Sequence, residues 1–347
     1  MNRFFFLCLA LLMMACGSDT ATQSPDKSTT KVYSKIAGKT MGTTYHLTYS
    51  AESKQQFKRS IDSLLVTINK EVSTYEKDAI ISQFNRSEKG VALDESKHAH
   101  FLANYNSALA MHKSTAGNFD PTVMPLVNYW GFGYADKNAV KNVDSLKIKS
   151  ILKLVGMNRV VAIEESLFLS KDNPQVQLDF SAHAKGYGVD QVCKLLSARG
   201  VEDYFVEIGG ELRTKGKNPA GVNWITGINK PQENASASGF MFRIQLEDEA
   251  IATSGNYRNV YEVDGIKYFH TINPFTGYPQ RNRLLSASVM AKDCMTADAY
   301  ATAFMVMGLD AAFAYANSND KIKAVFIYSD EAGEMQVRKT EGAEVLM

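Results

Sequence analysis

The sequence predicts an α+β fold: a single two-lobed domain of mainly antiparallel sheets flanked by helices. Two observations carry this expectation. Segments with helical spacing of apolar residues interleave with strand-like runs, but without the regular strand–helix–strand alternation that builds a doubly wound parallel sheet. In addition, no linker-like stretch divides the chain beyond Val32. Composition is ordinary for a globular domain, with 45% of the 347 residues hydrophobic and 22% charged. A formal charge of +1 gives no basic field for nucleic acid, and there is no like-charge block, low-complexity tract or internal repeat.

Taken in order, the chain opens with Arg3 and an unbroken apolar run from Phe4 to Ala15, followed by Cys16. Spanning a bilayer takes roughly 20 apolar residues, so this run suits a signal-peptide core, residues 1–15. Its end, Leu-Met-Met-Ala-Cys16, resembles the lipobox of bacterial lipoproteins, in which the Cys is lipidated. An ordinary secretory signal cut near Ala15 is the alternative. Residues 16–31 are polar and rich in Ser and Thr, a disordered tether that reaches about 50 Å when stretched. The folded domain is expected over 32–347. Of the four cysteines, Cys193 and Cys294 fall in this domain, within apolar helical stretches that favour buried free thiols.

Within the domain, Val32–Ser50 predicts two strands around Gly42. A helix follows, with Phe57, Ile61, Leu64, Leu65, Ile68 and Val72 on one face. Further helices are expected over Ser96–Ser114, stopped by Ala116-Gly117, and over Val143–Val155, Ala184–Ala198 and Met295–Met307. Strands are expected over Arg159–Ser170, Tyr204–Leu212, Trp224–Ile228, Phe240–Leu246, Val260–His270, Leu284–Ala291 and Lys323–Tyr328.

Four features carry chemistry. The segment Met295–Met307 is apolar nearly all round, so Asp298 within it is a buried carboxylate, costly unless paired or bound to metal. Thr302 lies four residues on, on the same face. A carboxylate and a hydroxyl form a hard-oxygen set suited to Mg²⁺, while an Arg-paired or loop-capping Asp is the competing reading. His270 closes a strand ahead of a turn, where a His meets a ligand or is simply structural. Glycine-bearing turns are read at Lys39–Thr44, Ala184–Tyr187, Ile208–Glu211 and Ala252–Asn256, and the helix opened by Ala184-Lys185-Gly186 presents free N–H groups. Asp120-Pro121 reads as a helix cap with Pro in the first turn, followed by aromatics able to pack on a planar ring.

In order, these pieces resemble the FAD:protein FMN transferase, or ApbE, family. They are Met-Gly-Thr-Thr-Tyr45, Ser-Thr-Tyr75 with Ser82-x-Phe-Asn85, Phe-Asp-Pro-Thr-Val-x-Pro-Leu-Val127 and Trp-Gly-Phe-Gly133. Asp179-x-Ser181, Ala-Lys-Gly-Tyr187 with Val-Asp190, Ile-Gly-Gly-Glu211, and Ala-Thr-Ser-Gly255 with Tyr257 continue the series, and His270–Gly277 and Ala297–Thr302 close it. The resemblance spans nearly the whole domain and implies a T-fold-like architecture. It implies that Met41, Tyr75, Phe119, Asp120, Pro121, Ser181, Tyr187 and Ile272 hold FAD, and that the backbone oxygen of Ala184 joins Asp298 and Thr302 around Mg²⁺. The implied chemistry is transfer of FMN from FAD to a Ser or Thr hydroxyl of a target protein, with release of AMP.

In this reading Asp298 and His270 are catalytic, His270 accepting the hydroxyl proton or orienting the pyrophosphate. Lys185 either adds positive charge or is a solvated surface lysine. The implied partners are acceptor flavoproteins with a Ser/Thr-Gly-Ala-type motif, including subunits of membrane redox complexes. That motif is absent from this chain, so self-flavinylation is not expected. A lipid-anchored protein facing the periplasm, held at the inner membrane, is the expected setting. Phe180 and His183 stand where family members often carry aliphatic or small residues, and Asn273 where Asp is frequent. The same features leave two alternatives, an Mg²⁺-dependent FAD pyrophosphatase and a non-catalytic flavin-binding lipoprotein.

Overall fold

The computed structural model describes residues 31–51, 54–134, 140, 142–163, 167–231, 239–256, 260–263 and 266–346. The signal segment, Cys16, most of the tether and Tyr257 lie outside the described residues. The chain opens with β1 (Tyr33–Thr40) and β2 (Thr43–Ser50), then α1 (Lys54–Val72), α2 (Ile80–Arg86), β3 (Gly90–Ala92) and α3 (Ala99–Ser114). A 3-10 turn at Pro121–Val123 leads to α4 (Met124–Tyr129), α5 (Ser145–Leu152), β4 (Val160–Ile163), β5 (Phe168–Lys171) and α6 (Ala184–Ala198). Next come β6 (Tyr204–Ile208), β7 (Glu211–Lys215), β8 (Trp224–Asn229), β9 (Phe240–Leu246) and β10 (Ala250–Gly255). After β11 (Val260–Val263), β12 (Ile266–Phe269) and β13 (Leu284–Ala291) follow α7 (Cys294–Met307), α8 (Leu309–Asn317), β14 (Ile322–Ser329), β15 (Met335–Lys339) and β16 (Val345–Leu346).

An eight-stranded sheet, ordered β1-β2-β6-β7-β10-β13-β14-β15, is antiparallel throughout. One face is covered by helices. There α1 buries Phe57, Ile61, Leu65, Ile68 and Val72, each contributing about 2 kcal/mol. The other face is covered by the three-stranded sheet β16-β9-β8, through Phe242, Ile244 and Leu246 against Leu212, Ile251, Met290, Val325 and Ile327. The alternation is plain in β14, where Ile322, Ala324 and Phe326 join the helical core while Val325 and Ile327 join the second one. Burial on both faces makes the central strands continuous apolar runs in sequence. A third cluster, Leu126, Trp130, Ile148, Tyr268 and Ile272, backs the aromatic segment after α4. Val32–Met347 is one compact unit.

The expected elements occur, with corrections. Arg159–Ser170, Tyr204–Leu212 and Val260–His270 are each a hairpin or its beginning, formed by β4 with β5, β6 with β7, and β11 with β12. Ala252–Gly255 is no turn; it is the body of the central strand β10, whose small residues let α7 lie close. Cys193 and Cys294 are buried free thiols.

One buried cation secures the segment leading into α6. Lys171, 7% exposed, donates from Nζ to the carbonyls of Asn85 (3.3 Å), Pro174 (3.0 Å) and Val176 (3.0 Å). Its ammonium also lies 5.0 Å from the centre of the Phe84 ring. Burial pushes its pKa down to about 8. The Asn85 amide completes the brace, donating to Leu178 O (2.9 Å) and accepting from Leu178 N–H (2.7 Å). Replacing Lys171 by Met strips three carbonyls of their donor. The expected cost is about 2 kcal/mol of stability, read as a lower urea midpoint at unchanged slope. An unchanged midpoint would show that the brace is dispensable.

Candidate active site

A cavity of about 730 Å³ is lined by the first turn of α6, by Asp298, Thr302 and Val306 along α7, and by residues of the central strands β7 and β10. That volume is in the range of small-molecule sites. Its wall has two characters. Tyr75, Phe119, Pro121, Met124, Val127, Phe132 and Ile272 form an aromatic and apolar side. Lys185, Glu211, Ser254, Asp298 and Thr302 form a charged and hydroxyl-bearing side, and His270 also lines the cavity.

The charged side is built by two helices in close contact. Asp298 is 3% exposed, on a helix apolar on nearly every face, as expected from the sequence. Its Oδ2 accepts from the Gly186 N–H at 3.1 Å. That approach needs glycine, because a Cβ on Gly186 would stand 2.4 Å from the carbonyl oxygen of Cys294. Lys185, in the same first turn of α6, donates from Nζ to Glu211 Oε1 at 2.8 Å. It is thus no solvated surface lysine. Burial works against its charge, but Asp298 and Glu211 hold its pKa well above the ordinary lysine value.

Burial likewise pushes the Asp298 carboxyl up to about 7, with Lys185 opposing and Glu211 reinforcing the shift. Thr302, one turn further along α7, shares a hydroxyl contact of 3.2 Å with Ser254 of β10. The buried Oε2 of Glu211 has no hydrogen-bond partner among the described residues. This side therefore presents more acceptor oxygens than the protein itself satisfies. The donor set is hard oxygen, as a divalent Mg²⁺-type cation requires. Among the described residues, no three His, Cys, Asp or Glu side chains gather into a metal cluster. A cation here would rest on one carboxylate supplemented by hydroxyl and backbone oxygens.

The segments that carry the aromatic lining residues are held by local caps and by one longer-range backbone contact. Asp120 caps the 3-10 turn, accepting from Thr122 N–H at 2.8 Å, and faces His112 Nδ1 at 3.4 Å. Asp179 N–H donates to Pro121 O (2.8 Å), and its carboxylate accepts from Ser181 N–H (2.9 Å) and Oγ–H (2.7 Å). Burial pushes both carboxyls up, against these hydrogen bonds. Phe180 and His183, the unusual pair, are core residues: His183 meets Phe119 and Phe180 edge-on at 5.3 and 5.5 Å. Burial pushes the His183 pKa down to about 4. Asn273 folds into its own turn, accepting from Phe275 and Thr276 N–H and donating to Gln280. No carboxylate therefore stands at that position beside His270.

The structure brings Tyr75, Phe119, Asp120, Pro121, Ser181, Ile272, His270, Asp298 and Thr302 to one cavity. Met41, Ala184 and Tyr187 do not line it. Met41 packs on Gly188 of α6, and the Tyr187 hydroxyl pairs with His100 Nδ1 at 2.8 Å. Met41 thus packs against α6, and Tyr187 ties α6 to α3. Ala184 is buried at the start of α6, two residues before the Gly186–Asp298 contact. The Lys185–Glu211 pair, Ser254 and the Asp179 carboxylate are site features that residue patterns alone did not single out. Their quoted motifs were the only signal available.

A family model described as the ApbE family matches residues 41–326. The chain belongs to the ApbE family. It is 40% identical over 281 residues to an FAD:protein FMN transferase of Vibrio cholerae, covering 81% of this chain and 82% of the relative. With the protein of that name from Escherichia coli it shares 32% over 310 residues, 88% of this chain and 87% of the other. Among solved structures, the flavin transferase ApbE from Vibrio cholerae superposes with a TM-score of 0.79 at 36% identity, covering 90% of this chain and 98% of that one. The apo flavinyl transferase ApbE of Pseudomonas stutzeri gives 0.78 at 30% identity, covering 90% and 95%. The α+β architecture is thus that of the ApbE proteins.

The Asp298 shift has a measurable sign. The folded protein holds this proton up to about pH 7, whereas the unfolded chain releases it near 3.8. The group's contribution to stability is therefore present at low pH and lost as pH rises toward 7. With divalent cations chelated, the melting temperature of the unsubstituted chain should fall more between pH 5 and pH 8 than that of Asp298→Asn. Parallel pH profiles would refute this.

Proposed function

We propose that this ApbE-family chain is an Mg²⁺-dependent FAD:protein FMN transferase. It passes the FMN part of FAD to a Ser or Thr hydroxyl of another protein and releases AMP. The observation that carries the reading is the mixed lining of the cavity, with aromatic residues suited to flat rings and a lysine and hard-oxygen groups suited to phosphates. Tyr75, Phe119, Asp120, Pro121, Ser181 and Ile272 hold FAD in this reading, with Met41 and Tyr187 supporting them through α6. Asp298, Thr302 and the Ala184 carbonyl would hold the metal. A cation bound there supplies neutralisation of charge on the phosphoryl oxygens.

The chain's own residues do the rest. Lys185, kept charged by its two carboxylate neighbours, faces the pyrophosphate. The acceptor hydroxyl oxygen bonds to the FMN-side phosphorus, and the bridging bond to the AMP phosphate breaks. The hydroxyl proton passes to His270, and AMP leaves with the bonding electrons. Lipid attachment at Cys16 and a periplasm-facing position at the inner membrane accord with the apolar N-terminal run. Among the described residues, no helix is long and apolar enough to cross a membrane. Acceptors carrying the Ser/Thr-Gly-Ala-type motif, including subunits of membrane redox complexes, are the proposed partners.

The test incubates the chain with FAD, Mg²⁺ and an acceptor domain bearing that motif, following acceptor mass and AMP together. An FMN-sized gain on the Thr acceptor but not on its Ala variant, with matching AMP, is expected. AMP and free FMN without labelling would mean an FAD pyrophosphatase, and no AMP at all a flavin binder. Asp298→Ala should abolish Mg²⁺-dependent transfer in a folded protein. His270→Ala should slow transfer by about 100-fold or more with FAD affinity little changed. Loss of FAD affinity instead would make His270 a binding group.

A further inference from the structure

The metal set proposed above draws on two helices, Ala184 from α6 and Asp298 and Thr302 from α7. Its geometry therefore depends on how α6 and α7 are held against each other. Besides the Gly186–Asp298 contact, one residue outside the cavity joins the two helices directly. Asp190, on α6 and one turn beyond Gly186, reaches across to the N-terminus of α7. Its Oδ1 accepts from Cys294 N–H at 3.0 Å and its Oδ2 from Met295 N–H at 2.9 Å. The third amide of α7, that of Thr296, is capped by the helix's own Asp293 at 2.9 Å. The first two amides of α7 thus have no partner on their own helix and are satisfied by its neighbour. Without that partner they would be orphan donors at a buried helix end.

Arg213 of β7 completes the arrangement, donating from Nη1 to Asp190 Oδ1 at 2.7 Å, so the carboxylate also ties both helices to the sheet. Gly186 and Asp190 lie four residues apart on one face of α6, both against the first turn of α7. Gly186 permits the approach and Asp190 fixes its register.

We infer that Asp190 is a positioning residue for the cation site: a carboxylate clamp from α6 onto the N-terminus of α7 that sets the spacing of the Ala184 carbonyl from Asp298 and Thr302. This rests on the metal reading above. Asp190 does not line the cavity and acts through the ligands alone.

The test is direct cation binding. Mn²⁺ is titrated into the full-length chain and free Mn²⁺ is read by electron paramagnetic resonance, alongside the Mg²⁺ concentration for half-maximal transfer. Asn at 190 keeps the shape but offers only one acceptor oxygen to two amides. Asp190→Asn should therefore bind Mn²⁺ about 10-fold or more weakly. It should need correspondingly more Mg²⁺, with kcat largely recovered at saturating Mg²⁺ and KM for FAD little changed. Leu47→Ala, a core truncation in β2 away from the clamp, controls for general destabilisation and should keep its Mn²⁺ affinity.

Gly186→Ala, which wedges the same two helices apart, should weaken Mn²⁺ binding similarly, and it reads the same spacing if Asp190→Asn does not fold. Affinity within about twofold of the unsubstituted chain in either folded variant overturns the clamp. So does an equal loss in Leu47→Ala. Absence of Mn²⁺ binding in the unsubstituted chain would instead sink the metal reading, a failure visible without any variant.

Discussion

A buried carboxylate dictates the arrangement of the charged half of the cavity. Asp298 sits on a helix wedged between the sheet and its neighbouring helices, where an ionised group is costly without compensation. Its compensation comes from one place, the first turn of α6, as the Gly186 N–H and the Lys185 charge. To deliver both, α6 must come into backbone contact with α7, and only a residue without a side chain fits at position 186. The Asp190 clamp, the Arg213 counter-ion and the Glu211 partner of Lys185 all follow from that close crossing.

The remainder of the fold makes the crossing rigid. Both faces of the large sheet are covered, by helices on one side and the β8-β9-β16 sheet on the other, so β7, β10 and β13 are fixed platforms under α6 and α7. The aromatic side is set by two local devices, the Asp120 cap and the Asp179–Ser181 turn, and by the Lys171 brace, which joins segments 86 residues apart. Both sides thus depend on tertiary contacts, and the aromatic one has local caps besides. A ligand with flat rings at one end and phosphates at the other would span the two.

Much of this was legible in the residues. The α1 stripe, the α6 and α7 spans, the Asp120-Pro121 cap and the buried position of Asp298 follow from periodicity and capping chemistry, which act over a turn or two of chain. The hairpin at 160–171 was not: it reads as one strand, although Glu164-Glu165-Ser166 separates the apolar runs of β4 and β5. Neither was β10, whose Ala252-Thr-Ser-Gly255 has the composition of a turn and becomes a strand because β13 pairs with it. Small residues there are selected by the approach of α7, a constraint with no local trace.

By itself, then, the sequence determined an α+β domain, its principal helices, a carboxylate and hydroxyl sharing one face of a buried helix, and a resemblance that the ApbE-family match upholds. These are properties of neighbours in the chain, where side-chain spacing and cap chemistry suffice. Only the tertiary structure decided that Lys185 is paired with Glu211, that Met41 and Tyr187 lie outside the cavity lining, and that His183 is a core residue whose burial lowers its pKa. Asp190 serving a helix 104 residues away belongs with them. Each depends on which surfaces meet, and a one-dimensional pattern does not encode the distance between two helices whose contact is set by packing.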